Sequence, residues 1–285
     1  MQVSICGSSG FIGKALFREC LKKGWTINRI NRESFNMTDE EFIEKKIEGS
    51  DVVINLAGAS LSKKWTREWK MEIRDSRILT TRRLVASIAK AVKKPSLFIQ
   101  ASAVGIYDHE GMHTEDSTRF GTDFLAQVCQ DWEKEALIAE NTTRLVIFRQ
   151  GVVLGPNGGI IENMKSYFRY GLGGRIGNGD QYMSFIHIDD LMEAFMFAID
   201  HPEMSGIYNA VTPYPSTNRE FTMKFGRVVN QPAGFTVPAF AARLFLGERA
   251  SLLLDNIQVY PDRLKKAGFT WKYPTVQNAL VATFR

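Results

Sequence analysis

Three observations predict an α/β fold built on a doubly wound parallel sheet, with helices on both faces and a small C-terminal cap lobe. Short apolar runs alternate with helical patterns through the first two-thirds of the chain, the order that parallel strands and their crossover helices require. The first run leads into a glycine loop that opens a helix. Beyond about residue 155 the texture changes to glycine- and proline-rich loops. A length of 285 residues suits one αβ body with an appended lobe, and 44% apolar with 24% charged residues is the balance of a soluble globular protein.

The run VSIC reads as the first strand, and FIGKALFRECLKKG as the first helix. Ile12, Ala15, Leu16 and Cys20 recur there at helical spacing, so one stripe can pack on the sheet, and Gly24 marks the stop. TINRI and DVVINLAG follow as strands, then a long helical stretch, LFIQASA, another helix and RLVIFRQG. From Gly155 onward GPNGG, GLGGRIGNGD and PYPSTN are loop chemistry, interrupted by a helix from about Leu191 to Ile199. From Asn218 the tail offers two more helical stretches, a short GFTWKYP element and a final helix. The division expected is a nucleotide-binding body of residues 1–154 with a return segment at about 185–212, and a cap lobe of about 155–184 and 213–285.

Composition excludes several classes. Cys6, Cys20 and Cys129 are odd in number and have no CxxC pair, which argues against a disulfide framework and a zinc site and points to a reducing compartment. The four histidines are scattered without metal-ligand spacing, so no metal is expected. The start of the chain lacks a signal-peptide pattern and no run is long enough to span a membrane, so the cytoplasm is the expected location. The net charge of +5 arises from 36 basic residues spread among 31 acidic ones, without a basic tract, so nucleic acid is not an expected partner. A small anionic molecule is. The oligomeric state is left open.

The loop Gly7-Ser8-Ser9-Gly10-Phe11-Ile12-Gly13 follows a strand and opens a helix, the context a dinucleotide fingerprint needs. Gly7 permits a tight turn, Gly10 lets backbone approach a pyrophosphate, and Gly13 allows close helix packing, while the helix N-terminus favours an anion. The body is thus predicted to be of Rossmann type. After TINRI, where an NAD site would carry an acid, stands Asn31-Arg32. A guanidinium there suits a 2′-phosphate and favours NADP; the alternative for Arg32 is a solvated surface charge. Leu56-Ala57-Gly58 ends a later strand, and its small residues would let backbone lie against the cofactor.

With those segments in hand, the chain resembles the extended short-chain dehydrogenase/reductase superfamily. Within it, the likeness is to the atypical epimerase-family branch grouped with nucleoside-diphosphate-sugar epimerases. The resemblance runs through GSSGFIG, NLAG, EIRDSRILTTRRL, ASAVGIY, DFLAQVCQDWE, RQGVVLGPNGG, GLGGRIGNGDQYMSFIHIDDL and the tail GE followed by LLLDNIQVYPDRLKKAGF. It implies a bound NADP, with contacts on Ser9, Phe11 and Ile12 of the loop, Asn31, Arg32, Ala57, Gly58, Glu72, Arg77 and the backbone near Val152. As bare sequence, Glu72 and Arg77 would equally suit an exposed helix face, and Val152 a core.

Enzymes of this superfamily pair a Tyr with a Lys four residues on, so that the ammonium lowers the phenol pKa for proton transfer. Aligning Glu133 with the superfamily's trailing Glu puts Leu125 and Cys129 at those two positions, and Ala103 at the usual Ser or Thr, with Ser102 one place off. The pair is missing. Ser102 and Tyr107 are the candidates for the proton-transfer site, with Glu115, Asp116 and His187 nearby in the pattern; Tyr107 reads equally as a packed aromatic and His187 as a structural anchor. Lys165, Arg169 and Arg175 either grip a phosphorylated substrate or form a solvated basic face. Two functions follow as expectations: an NADP-dependent oxidoreductase or epimerase acting on a sugar, nucleotide-sugar or similar anion, or a non-catalytic NADP-binding sensor or scaffold.

Overall fold

The computed structural model describes residues 1–31 and 41–284. Its sheet has six parallel strands: β1 Gln2–Cys6, β2 Thr26–Ile30, β3 Val52–Asn55, β4 Leu97–Ala103, β5 Arg144–Gln150 and β6 Gly206–Ala210. Their order is β6-β5-β4-β3-β1-β2, every neighbouring pair in parallel register. The helices are α1 Phe11–Lys22, α2 Glu41–Ile47, α3 Arg67–Lys90, α4 Phe124–Leu137, α5 Gly159–Arg169, α6 Ile188–Asp200, α7 Asn218–Val228 and α8 Ala239–Leu246. They are followed by shorter pieces at Ser251–Leu254, Asp262–Lys266 and Val276–Thr283.

The near-continuous apolar runs of β3, β4 and β5 are explained by burial on both faces. Val52 and Ile54, Leu97 and Ile99, and Val146 and Phe148 point to one face, where they pack with Ala15 and Leu16 of α1 and Leu191 and Phe195 of α6. The alternate residues Val53, Phe98, Leu145 and Ile147 point to the other, against Ile43 of α2, Leu84 and Ile88 of α3 and Ala136 of α4. α1 stops as Gly24 takes a φ of +70°. Chain direction across the sheet reverses between β1 and β3, and open α/β sheets place their ligand crevice at the carboxyl ends beside such a switch.

A third cluster lies under the glycine-rich region, where Phe168 stacks on Phe225 at 4.0 Å between ring centres and Phe185, Phe221, Val276 and Leu280 close around them. The tail divides between lobes. Leu264 and Phe269 enter the core that contains α1 and α6, and the Trp271 indole donates to the Val211 carbonyl at 2.9 Å.

Some elements depart from the sequence reading. α6 begins at Ile188, not near Leu191, because the His187 imidazole caps it: Nδ1 accepts the Asp189 amide at 3.2 Å. The RLVIFRQG run stops at Gln150, and Val152–Leu154 forms a separate parallel pair with Phe185–His187. A Cβ on Gly151 would meet the Ser184 carbonyl at 2.6 Å, so only glycine lets the two chains pass. The tail is more broken than two helices and a final one, since Gly247 and Gly268 take φ of +60° and +88° and Pro261 precedes a five-residue helix.

Candidate functional site

The site forms where the loops after β1 and β3 meet. Gly7 has φ +84°, and a Cβ there would come within 2.7 Å of the Leu56 carbonyl carbon, so the two loops touch backbone to backbone. Gly13 packs against the Gly7 carbonyl, which seats α1 directly under the turn. Gly10 differs. It is the exposed N-cap of α1, with no side-chain cap, and a Cβ there would meet nothing nearer than 3.6 Å. That bare helix N-terminus is a cradle in which a pyrophosphate would sit against amides.

Two cavities open from this point. The first, about 810 Å³, is lined by Gly7, Ser9, Asn31, Ala57, Gly58 and Glu72, together with Asp75, Ser76, Thr80, Arg82 and Arg83 of α3. The second, about 380 Å³, shares Ala57 and Gly58 with it and continues past Ile12, Leu56, Arg77, Ser102, Ala103, Leu125, Cys129 and Val152. Arg77 lies on the second cavity beside the shared Gly58: its Nη1 donates to the carbonyls of Ala59 at 3.2 Å and Ile73 at 3.0 Å, and its guanidinium lies 5.2 Å from the Trp132 ring centre. Burial holds its pKa below the usual guanidinium range.

Phe11 lines neither cavity. Its ring lies under the loop of Gly155, Gly158 and Gly159, where each glycine's missing Cβ leaves room for it, so it clamps the cap to the body. Arg32 lies outside the described residues. Lys165, Arg169 and Arg175 are absent from the linings of both cavities, and Arg175 bonds Thr236 at 3.1 Å.

The position of Tyr107 corrects its reading as a proton-transfer residue. Its side chain is fully buried, stacked on His113 at 4.8 Å, and lines neither cavity. Its hydroxyl donates to Asn209 Oδ1 and accepts from Arg149 Nη1, both at 2.8 Å, and burial pushes its pKa up. It belongs to a buried network. Arg149 binds the Glu133 carboxylate through Nε at 2.8 Å and Nη2 at 2.7 Å, and Ser102 donates to Glu133 at 2.6 Å. Burial alone would lower the Arg149 guanidinium, but the bidentate bonds to Glu133 more than offset it and hold the pKa raised. Ser102 is the one member of the candidate pair on the second cavity.

The remaining substitutes serve structure. Glu115 is buried and accepts the amides of Asn209 at 2.9 Å and Arg263 at 3.3 Å; Asp116 pairs with Arg263 at 2.8 Å. His187 is buried, caps α6 and stands edge-on to Tyr273, and burial pulls its pKa down. Leu125 and Cys129 of α4 face the second cavity, and burial pushes the Cys129 thiol up to about 12, leaving it neutral.

Sequence reasoning missed four titratable groups on the second cavity: His109, Asp123, Tyr182 and Asp255. His109 Nε2 lies 3.4 Å from Asp123 Oδ2 and 3.7 Å from Asp255 Oδ2. Burial pushes the Asp255 carboxyl up, His109 opposes this and Asp123 adds to it. Asp123 had a readable signal, as an N-cap ahead of FLAQVCQ, and its Oδ1 does accept the amides of Leu125 and Ala126. His109 and Asp255 had none, being joined only by the fold.

The profile of the NAD dependent epimerase/dehydratase family matches residues 3–211. The chain belongs to that family. Residues 237–283 match a domain of unknown function, DUF1731. An epimerase family protein of Mycobacterium leprae is 41% identical over 290 residues, covering 98% of this chain and 94% of the relative. The crystal structure of the human epimerase family protein SDR39U1 with NADPH has a TM-score of 0.92 at 30% identity, covering 100% of this chain and 99% of that one. A nucleoside-diphosphate sugar epimerase from Corynebacterium glutamicum has a TM-score of 0.79 at 29% identity, covering 100% of this chain and 58% of the larger neighbour. Among the described residues no helix is long and apolar enough to cross a membrane.

Proposed function

We propose that this member of the family binds NADP across the two cavities and carries out an oxidoreductase or epimerase-type reaction at a hydroxyl-bearing carbon held in the second. Sugars and nucleotide sugars are the substrate class that the family suggests. The observation that carries the reading is that the two cavities share Ala57 and Gly58, the first of them being lined also by Gly7 and Ser9 of the glycine loop. In this reading the amides of Gly7 to Gly13 take the pyrophosphate, and Asn31 and Glu72 border the adenosine half. Arg77 lies beside the shared Gly58, and Val152 and Ile12 wall the nicotinamide. The NADPH in the human neighbour supports the phosphorylated cofactor, as does Arg32 in the sequence. Bound nicotinamide would supply hydride chemistry, while the chain's own groups orient the substrate and move the proton.

Titration of the purified protein with NADPH, NADP, NADH and NAD, followed by nicotinamide fluorescence and thermal shift, tests this. Arg32→Ala is expected to erase a phosphorylated-cofactor preference of roughly ten- to a hundredfold, the usual worth of a charge-assisted bond. Binding of none of the four would overturn the reading. Tight NADP binding without turnover across a broad carbonyl and nucleotide-sugar panel would instead favour the sensor or scaffold, a role consistent with Leu125 and Cys129 on the cavity wall.

A further inference from the structure

The second cavity lacks the tyrosine and lysine that move the proton in related enzymes, yet it is not without acid–base groups. We propose that His109, held between Asp123 and Asp255 on its wall, exchanges the proton with an uncharged alcohol or ketone substrate. The proposal rests on the cofactor reading above.

Three separate segments build this cluster: the loop after β4, the N-cap of α4, and the tail that follows Ser251–Leu254. Each part is held in place. Asp123 is fixed by two helix amides, and Asn256, next to Asp255, donates through Nδ2 to the His109 carbonyl at 3.4 Å and accepts the Tyr182 amide at 2.8 Å. Both carboxylates lie within ion-pair distance of Nε2, which favours the tautomer with its hydrogen there. The lone pair is then on Nδ1, a buried nitrogen with no partner within the protein. A buried polar atom left unpaired costs stability, and such atoms recur where a ligand or a reaction uses them.

Two of the other candidates are committed elsewhere: Ser102 gives its hydrogen to Glu133, whose carboxylate is already bound on both oxygens by Arg149, and Tyr107 is outside the cavity, which leaves Tyr182 on the same wall as the rival that the test separates. In the oxidative direction the substrate O–H bond breaks, its proton bonds to Nδ1, and the electron pair stays on oxygen as the carbonyl forms; the hydride from carbon is the nicotinamide cofactor's share. The imidazolium that results lies beside two carboxylates, which stabilise it. In reduction the proton returns from Nδ1 to the developing alkoxide.

The same cluster speaks to substrate charge. The charged residues lining the second cavity are Arg77, already bonded to two carbonyls, His109 and the two acids. Much of the remaining wall is apolar, including Leu61, Leu125, Val128, Met183, Leu252 and Ile257. Two carboxylates in a small, largely apolar cavity disfavour an anionic group beside them, so the part of the substrate that reacts at His109 is an uncharged one.

The test uses the full chain, wild type and His109→Gln, with NADPH affinity measured by nicotinamide fluorescence and NADPH oxidation measured with cyclohexanone and acetophenone. The expected result is a kcat lower by about 100-fold or more in His109→Gln, the usual worth of a positioned acid or base, with KM and cofactor affinity within about threefold. A turnover of His109→Gln within threefold of wild type overturns the proposal, as does a loss confined to Tyr182→Phe. If the ketones are not turned over, nitrogen-15 NMR of the imidazoles decides: movement of the His109 signal on adding cyclohexanone to the NADP-loaded protein supports it, and an unmoved signal overturns it. Absence of NADPH binding by the wild type is the failure of the cofactor reading, which the fluorescence reports separately.

Discussion

A Cβ on Gly7 would press on the Leu56 backbone and one on Gly13 on the Gly7 carbonyl, whereas one on Gly10 would make only ordinary contact with the Gly7 carbonyl at 3.6 Å. The three therefore separate by experiment. Gly7→Ala and Gly13→Ala are expected to lower the melting temperature sharply, because backbone cannot give way as a side chain can. Gly10→Leu is expected to leave stability nearly unchanged and abolish dinucleotide binding; retention of binding would show that the cradle is not where the cofactor lies. Asp190 makes a second test at this scale. Its carboxylate is fully buried, accepts the Lys272 and Tyr273 amides at 2.7 and 3.1 Å, and is pushed up to about 6 by burial despite those bonds. A folded-state pKa above the unfolded value means that the native state binds the extra proton between about pH 4 and 6, so Asp190's contribution to stability is present below that window and lost as pH rises through it. The difference in melting temperature between Asp190→Asn and wild type is thus expected to move in the variant's favour from pH 4 to 6. A flat difference would mean that burial does not hold the proton.

At the level of elements, α3 and α4 are joined to the sheet by polar groups that a hydrophobic pattern does not reveal. Thr81 Oγ1 accepts from Asn55 Nδ2 at 2.9 Å and from the Trp132 indole at 2.8 Å, linking β3, α3 and α4 in one buried cluster. Thr81→Val keeps the shape and removes the acceptor, so chemical denaturation should report a loss of about 1–3 kcal/mol from the unpaired indole and amide. The Glu133–Arg149 pair joins α4 to β5 in the same way, and Glu133→Gln is expected to cost about 3–5 kcal/mol by leaving the guanidinium without its countercharge. An unchanged denaturation midpoint in either variant would show that the network relaxes or admits water.

Across the whole molecule, the tail ties the lobes together. Leu264 and Phe269 pack beside α1 and α6, while Val276 and Leu280 complete the core under the cap. The chain is accordingly expected to unfold in one cooperative transition, with coincident far-ultraviolet and tryptophan signals. Leu264→Ala, in the main core, should lower that single transition by about 2–5 kcal/mol without splitting it. Two transitions, with only one moved, would mean that the cap folds independently.

The sequence by itself determined the local and periodic features. Alternating apolar runs required a sheet buried on both faces, since no other arrangement covers VVIN and LFIQASA, and the glycine loop between strand and helix marked the crevice end of that sheet. Tyr107 shows the limit of such reading. A tyrosine at a strand end looks available in one dimension, but the β5 arginine and the β6 asparagine that engage its hydroxyl lie 42 and 102 positions away in the chain. His109 and Asp255 show the converse, as residues unremarked in their own segments that share one cavity because the tail returns across the body. Periodicity reports whether a side chain faces solvent or core; which distant group meets it there is decided only by tertiary packing, because hydrogen bonds and charge pairs act over a few ångströms of space and not along the chain.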